Sequence, residues 1–422
     1  MESQFFFYNL GAGMNNTNGN EMLVGLDIGT SKIVAVVAEV NHEGSIEIVG
    51  LGTHPSRGLR NGVVVDIEST TNAIKKSIQE AESMAGCHIS SCYVGISGSH
   101  IRGLNSEGVV PIKNGEVNFG DVDRVIETAQ AMAIPADQKL LHVLPRDYII
   151  DKQVGIKEPL GMAGARLEAK VHLVTCSLNS SQNINTCVSA CGLDIEAFVL
   201  EQLASSYSVL TNDERDLGVC LIDIGCGTAD MAVFTDGSIS FSDVIAIAGD
   251  HVTNDIAEAL RTPPTQAEEI KQRYGCAVSS LTKVDEMMMV SGMGGRPERE
   301  LSRQTLADVM ERRYVEIFSM IQQKLSLSGF ESLIPAGVVL TGGASKVEGA
   351  TELAEEVFHA PVRLGSPDTI GGFNEVIHNP IYATSVGLLL YGLKQMQEDH
   401  MNYIHRDKNI INRLSRWFGG NL

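Results

Sequence analysis

Apolar and polar positions along this chain of 422 residues alternate between two kinds of run. Residues 22–28 and 33–40 predict two strands of a hairpin, and 46–51 continues the sheet. Ala73, Ile74, Ile78, Ala81 and Met84 recur at helical spacing and predict a helix over about 68–84. SCYVGIS (91–97) is a buried strand. Short strands and glycine-rich turns then surround one clear helix at about 121–133, with Val122, Val125, Ile126 and Ala129 on one face. The β/α rhythm returns with a strand at 171–176, a helix at about 180–191, a strand at 195–200 and a helix over 201–210. Beyond a second hairpin near 220–235 come a strand at 238–247, helices near 250–260 and 265–274, and a long amphipathic helix at 299–327. The strand 337–340 and a last core helix at about 380–394 complete the pattern.

The two hairpins share one design. GLDIGTSKI places Asp27, Gly29, Thr30, Ser31 and Lys32 in a tight turn, and CLIDIGCGTADMAVF does the same with Asp223, Gly225, Cys226, Gly227, Thr228 and Asp230. Glycines let backbone N–H groups close on phosphate oxygens, and small hydroxyls add donors. An aspartate delivered by the strand suits a hydrated Mg²⁺, which takes only one or two carboxylates. One such loop is an ordinary turn; two, related as a duplication, point to a nucleotide clamped between similar domains. A third element, VVLTGGASKVEGA, carries Gly342, Gly343, Ala344 and Ser345 between a strand and a helix, where a base or ribose can pack on bare backbone. Taken alone that turn is ordinary glycine use; after two such hairpins it completes a nucleotide-binding constellation.

Size and charge narrow the class. This length exceeds one core and predicts two to four subdomains. A formal charge of −20 argues against a general nucleic-acid binder. No apolar run approaches the ~20 residues needed to span a bilayer. Residues 1–20 read as a flexible lead-in, and the eight cysteines, with no CxxC pair, as free thiols in a reducing cytosol.

The constellation is the mark of the actin, Hsp70 and sugar-kinase superfamily. Within it the chain closely resembles the FtsA family of bacterial cell-division proteins over residues 22–394. PSRGLRNGVVVDIES, VGISGSHI, LASSYSVLTNDERDLGVCLIDIG, GGRPERELSRQTLA and ATSVGLLLYG carry that resemblance. It implies an α/β, actin-like duplicated ATPase fold with an inserted small α/β subdomain of the 1C/SHS2 type and a C-terminal amphipathic helix. The first half then covers 21–86 and 171–212, the insertion 87–170 and the second half 213–394. A linker at 395–408 and a membrane-targeting helix at 409–422 follow.

By the same resemblance Asp27 and Asp223 bear on a hydrated Mg²⁺, and Asp230 positions metal-bound water. Gly29, Thr30, Ser31 and Lys32 face one side of the phosphates of ATP, and Gly225, Gly227 and Thr228 the other. Lys32 is equally readable as a solvated hairpin-edge lysine. Glu268 and Lys271, at i and i+3, share a helix face and fit a ribose contact or a surface ion pair. Gly249 opens a helix whose N-terminus can face the nucleotide. The family has three glycines in the second loop where this chain has Cys226, whose side chain narrows the phosphate pocket and leaves the backbone donors available. Glu201 is the candidate general base, with helix N-terminal charge complementarity as the competing explanation. Binding of ATP is therefore a firmer expectation than fast hydrolysis.

The C-terminus adds a second signal. In NIINRLSRWFGGNL, Ile410, Ile411, Leu414, Trp417 and Phe418 occupy one helical arc, with Arg413 and Arg416 outside it. Arg406, Lys408, Arg413 and Arg416 face only Asp407, a basic patch on an acidic chain. That suits a helix in the headgroup layer of an anionic membrane, against a helix docked on its own domain or on a partner. Residues 291–314 combine a glycine turn with interleaved charges, a solvated helix by default. By resemblance this region contacts neighbouring protomers and the C-terminal peptide of the tubulin-like FtsZ.

The resemblance implies filaments, anchoring of the FtsZ ring to the cytoplasmic face of the inner membrane at the septum, and recruitment of later membrane proteins such as FtsN. The nearest rival is a pilus-assembly ATPase of the PilM type, which shares the insertion and lacks the amphipathic tail. A small-molecule kinase would need a sugar pocket and a catalytic aspartate that the sequence does not offer. An Hsp70-type chaperone would need a substrate domain after the last core helix.

Overall fold

A computed structural model describes residues 14–15, 21–41, 44–368, 370–373, 376 and 378–398. Two sheets with one strand order form its frame. In the first, Asp194–Leu200, Ser91–Ile96, Glu21–Ile28, Lys32–Val40 and Ile46–Pro55 lie side by side in that order. In the second, Val362–Leu364, Val338–Thr341, Val219–Ile224, Ala229–Thr235 and Ser238–Ile245 repeat it. Each has a central antiparallel hairpin, a third antiparallel strand outside it, and two parallel strands on the other side. Asp27 pairs with Val34 in one hairpin and Asp223 with Asp230 in the other, so the two loops are equivalent in register. The central strands are buried on both faces, which explains their near-continuous apolar runs.

Helices cover these sheets where small residues let them approach. Ala73, Ile74, Ile78 and Ala81 of the Ile67–Ala85 helix are buried, while Met84 turns outward. A Cβ at Gly52 would lie 1.8 Å from the Ser77 carbonyl oxygen, so this strand accepts the helix only as glycine. The long helix begins later than its periodicity predicts. Arg299–Ser302 is a strand paired with Met287–Val290, and Ser302 caps the Arg303–Ser328 helix through the Thr305 N–H. Tyr314, Phe318 and Ile321 of that helix fill the second core.

Between Ser91–Ile96 and Asp194–Leu200 in the sequence comes a four-stranded antiparallel unit, ordered Gln153–Ile156, Gln138–Ile150, Arg166–Ser177, Arg102–Pro111, with the Phe119–Gln130 helix packed on it. An Asn118–Asp121 capping box starts that helix. The boundaries expected at 87 and 170 both fall early, because Ser91–Ile96 belongs to the first sheet and Arg166–Ser177, expected to resume the first half at 171, belongs to the inserted one. At the other end, Met14–Asn15 pairs antiparallel with Glu21–Ile28, so this part of the expected lead-in joins the sheet. The last helix, 383–398, continues through the first residues of the expected linker. The amphipathic segment 409–422 lies outside the described residues. Among the described residues no helix is long and apolar enough to cross a membrane.

The inserted unit also leans on the second half. Asn105 donates to the Ser240 carbonyl at 3.1 Å. His172 sits between Asn105 Oδ1 (2.8 Å) and Ser242 Oγ (2.9 Å), and His142 Nε2 accepts the Leu200 N–H at 3.0 Å. Burial pushes both imidazoles down from 6.5 to about 4, with Arg146 adding to the effect at His172. The unfolded chain therefore binds protons that the folded chain refuses between those values. Stability contributed by the neutral rings is full above pH 6.5 and falls as pH drops toward 4, by up to about 3 kcal/mol per ring. We expect melting temperature to fall on acidification from pH 7 to 5 and His172→Gln to flatten that fall. Parallel slopes for variant and wild type would contradict this.

Candidate functional site

The equivalent hairpin loops meet where the two halves come together. A Cβ built at Gly227 would lie 2.7 Å from Thr30 Oγ1, so the second loop touches the first only because it is glycine there. The same Cβ would meet Asn61 at 3.0 Å, and the Gly62 N–H donates to Thr30 Oγ1 at 3.2 Å. A short turn at 61–62 thus closes over both loops, and nothing in the sequence pattern announced it.

Four carboxylates converge at this junction. Asp223 and Asp230 are buried, and Asp27 and Glu201 are half-buried. Burial raises Asp27 to about 6, and Asp223 adds to it while Lys32 opposes. Asp230 is raised by burial to about 7, with Ser97 opposing and Asp223 and Asp27 contributing. Burial and then Asp27, Asp230 and Asp223 push Glu201 well above its usual range. Such a donor set carries more negative charge than its surroundings offset, which is the chemistry of a site completed by a cation. Among the described residues no three His, Cys, Asp or Glu groups are close enough to hold an ion directly.

Glu201 opens the Glu201–Val209 helix, but its side chain lies against Gly95 beside the other carboxylates. Lys32 stands with its ammonium 4.4 Å from the Tyr382 ring centre, and burial lowers it to about 8, with Asp27 opposing and Lys346 reinforcing the shift. Ser31 is exposed at the loop edge. Thr228 is buried and within 3.5 Å of Ser97 Oγ.

Gly249 begins the Gly249–Leu260 helix and donates to the Gly225 carbonyl at 3.2 Å, which fixes this helix against the second loop. Cys226 is tied to the start of the helix that begins at Gly249. Its thiol donates to Asp250 Oδ1 at 2.7 Å, and its carbonyl accepts the Asp250 N–H at 2.7 Å. Burial and then the Asp250 carboxylate push the thiol up to about 12, so it stays protonated. Lys271 is only 7% exposed and is not a surface cation. Its Nζ donates to the Gly249 carbonyl (3.1 Å) and Thr253 Oγ1 (2.8 Å) and pairs with Glu268 at 2.7 Å. Burial works against ionisation of Glu268, but Lys271 and its hydrogen bonds outweigh it and lower the carboxyl.

The third loop closes the same site. Gly342 has φ of 86°, and a Cβ there would lie 2.3 Å from Asp223 Oδ1, so the turn permits only glycine. The Tyr314 hydroxyl donates to the Ala344 carbonyl at 2.7 Å and ties the loop to the long helix. Ser345 is turned inward onto the Thr341 carbonyl. Gly343 is open, its nearest neighbour being Ile381 at 3.6 Å from a built Cβ. The predicted residues of both hairpins, of Gly249, Glu268 and Lys271 and of the 342–345 loop therefore surround one cleft, while the predicted membrane residues lie outside the described chain. Sequence reasoning missed Ser97, Ser205, Thr384 and Ser385, which bond the aspartates from behind.

Comparison with solved structures places this architecture among actin-like proteins. The PilM–PilN type IV pilus biogenesis complex superposes with a TM-score of 0.65 at 17% identity, over 88% of this chain and 98% of the other. MreB5 of Spiroplasma citri bound to ADP gives 0.53 at 15% identity, over 90% and 98%. At such identities the likeness is one of fold. Closer relatives share sequence. Cell division protein FtsA of Pseudomonas aeruginosa is 58% identical over 97% of this chain and 100% of its own length. That of Escherichia coli K12 is 46% identical over 96% and 97%. Family patterns described as cell division protein FtsA and as the SHS2 domain inserted in FtsA match residues 220–387 and 98–175. With its duplicated actin-like sheets and inserted SHS2 unit, the chain belongs to the FtsA family of cell-division proteins.

Proposed function

We propose that this protein binds ATP with Mg²⁺ in the cleft, polymerises on the cytoplasmic face of the inner membrane at the septum, anchors the FtsZ ring and recruits later division proteins such as FtsN. The observation that carries the nucleotide reading is the meeting of the two hairpin loops at Thr30 and Gly227, with Gly342 of the third loop against Asp223 Oδ1. Gly29, Thr30, Ser31 and Lys32 would serve one side of the phosphates and Gly225, Cys226, Gly227 and Thr228 the other. Gly249, Glu268, Lys271 and the 342–345 loop would surround the nucleoside. Asp27, Asp223 and Asp230 would hold the hydrated Mg²⁺, which supplies positive charge to the phosphates. Glu201 would be a slow base, because its burial and the neighbouring carboxylates disfavour the ionised form a base must have. The site then works as a switch more than as a fast catalyst.

Membrane attachment rests on the sequence of 409–422. One short amphipathic helix anchors weakly, and a filament that aligns many multiplies the affinity. That links nucleotide state, assembly and attachment. Vesicle flotation tests it. Full-length protein should float with anionic vesicles and bind an FtsZ tail peptide, whereas protein lacking 405–422 should keep the peptide and lose the vesicles. Full-length protein that ignores both would overturn the division reading.

A further inference from the structure

The last helix, 383–398, begins against the cleft. Its first turn sends one hydroxyl to each of two aspartates on different halves. Thr384 Oγ1 donates to Asp223 Oδ2 at 3.1 Å, and Ser385 Oγ donates to Asp27 Oδ2 at 3.3 Å. Ser205, on the Glu201–Val209 helix, donates to the same Asp223 oxygen at 2.5 Å. All three hydroxyl residues are buried. Buried serines nearby bond to backbone instead: Ser206 to the Leu203 carbonyl at 2.7 Å, and Ser208 to the Ala383 and Ser205 carbonyls at 2.7 and 3.0 Å.

The orientation is specific. Both bonds go to Oδ2, while Oδ1 of Asp223 faces Gly342 and Oδ1 of Asp27 faces Gly29, the glycines of the ligand loops. The backbone holds this arrangement from behind. A Cβ at Gly25 would lie 2.8 Å from the Ser385 carbonyl oxygen, so the strand carrying Asp27 rests directly on this turn.

We propose that Thr384 and Ser385 are positioning residues that aim Asp27 and Asp223 at the divalent cation, so that one helical turn sets the metal site from both halves at once. This rests on the nucleotide reading above.

The test uses full-length protein and a fluorescent ATP analogue titrated across Mg²⁺ concentration, with binding in EDTA and melting in EDTA as parallel measurements. Thr384→Val and Ser385→Ala should each raise the half-saturating Mg²⁺ about 10-fold, as loss of partners behind a metal ligand does. Binding in EDTA should stay within about twofold of wild type, since only the metal-dependent increment rests on these hydroxyls. Thr384→Ser keeps the hydroxyl and should restore the wild-type Mg²⁺ response. If Thr384→Val does not fold, Ser385→Ala, which removes a single oxygen, carries the test. Unchanged Mg²⁺ half-points, or an equal loss of binding in EDTA, would overturn the proposal. Wild-type protein that binds no nucleotide at any Mg²⁺ would overturn the nucleotide reading itself.

Discussion

Asp27→Asn is expected to stabilise the nucleotide-free protein by about 1 kcal/mol at pH 7 and to weaken Mg²⁺–nucleotide binding by about 100-fold or more. The two effects have one cause. Burial first, and Asp223 against the opposing Lys32, raise the Asp27 carboxyl from 3.8 to about 6, so without a cation the folded protein keeps a proton between about pH 4 and 6 that the unfolded chain has lost, and above 6 it carries an unfavourable buried charge. A shift of that size corresponds to about 3 kcal/mol, discounted here because the side chain is half-open to the cleft. The sign follows from linkage. The stability is fully present below about pH 4 and is lost as pH rises through 6, so the gain from asparagine should be small at pH 4 and largest above 6. Lys32 loses an attractive partner in the variant, which offsets part of the gain. Urea unfolding in EDTA at pH 4.5 and 7, beside nucleotide titration, measures both effects. A variant that is less stable at pH 7 and binds Mg²⁺–nucleotide normally would place Asp27 in structure, not in the site.

This trade of stability for charge is why the hairpins were legible. An aspartate among small residues after an apolar strand is poor use of a strand end unless something binds there. The duplicated strand order was legible for the same reason, since each half repeats the same run of buried strands. For the Glu268–Lys271 pair, spacing alone left a surface ion pair open and the ribose role came from the resemblance; the burial of Lys271 against the Gly249 carbonyl is something spacing does not reveal.

What escaped notice shares a physical character. Ser97, Ser205, Thr384 and Ser385 are small hydroxyls inside elements whose periodicity is set by their apolar neighbours. Their partners lie as far as 358 positions away, so no local pattern marks them. The start of the long helix was misplaced because 299–302 is compatible with helix by composition. Cross-strand pairing with Met287–Val290 decides otherwise. The insertion was placed early because Ser91–Ile96 has the same short, glycine-containing texture as the unit that follows it.

Gly387→Ala should destabilise the protein by about 3 kcal/mol or prevent folding. The last helix crosses the Glu201–Val209 helix at this point, and an alanine Cβ would lie 1.9 Å from the Ala204 carbonyl oxygen and 2.3 Å from its carbon. Backbone, not a flexible side chain, blocks the space, so the crossing must open. These two helices carry Ser205, Thr384 and Ser385, and their separation sets the aspartates. Gly343→Ala is the matched control: it has open space to 3.6 Å and should leave stability within about 0.5 kcal/mol. Urea melts of the two variants compare them directly. Equal, small losses would show that the crossing is not a constraint.

The central claim is that the two hairpins form one Mg²⁺-dependent nucleotide clamp. Its most direct test is equilibrium titration of the full-length protein with a fluorescent ATP analogue, with and without Mg²⁺. We predict saturable binding of one nucleotide per chain, displaced by unlabelled ATP, strengthened by Mg²⁺ in wild type and no longer so in Asp27→Asn. Absence of saturable binding, or binding indifferent to both Mg²⁺ and Asp27, would contradict it.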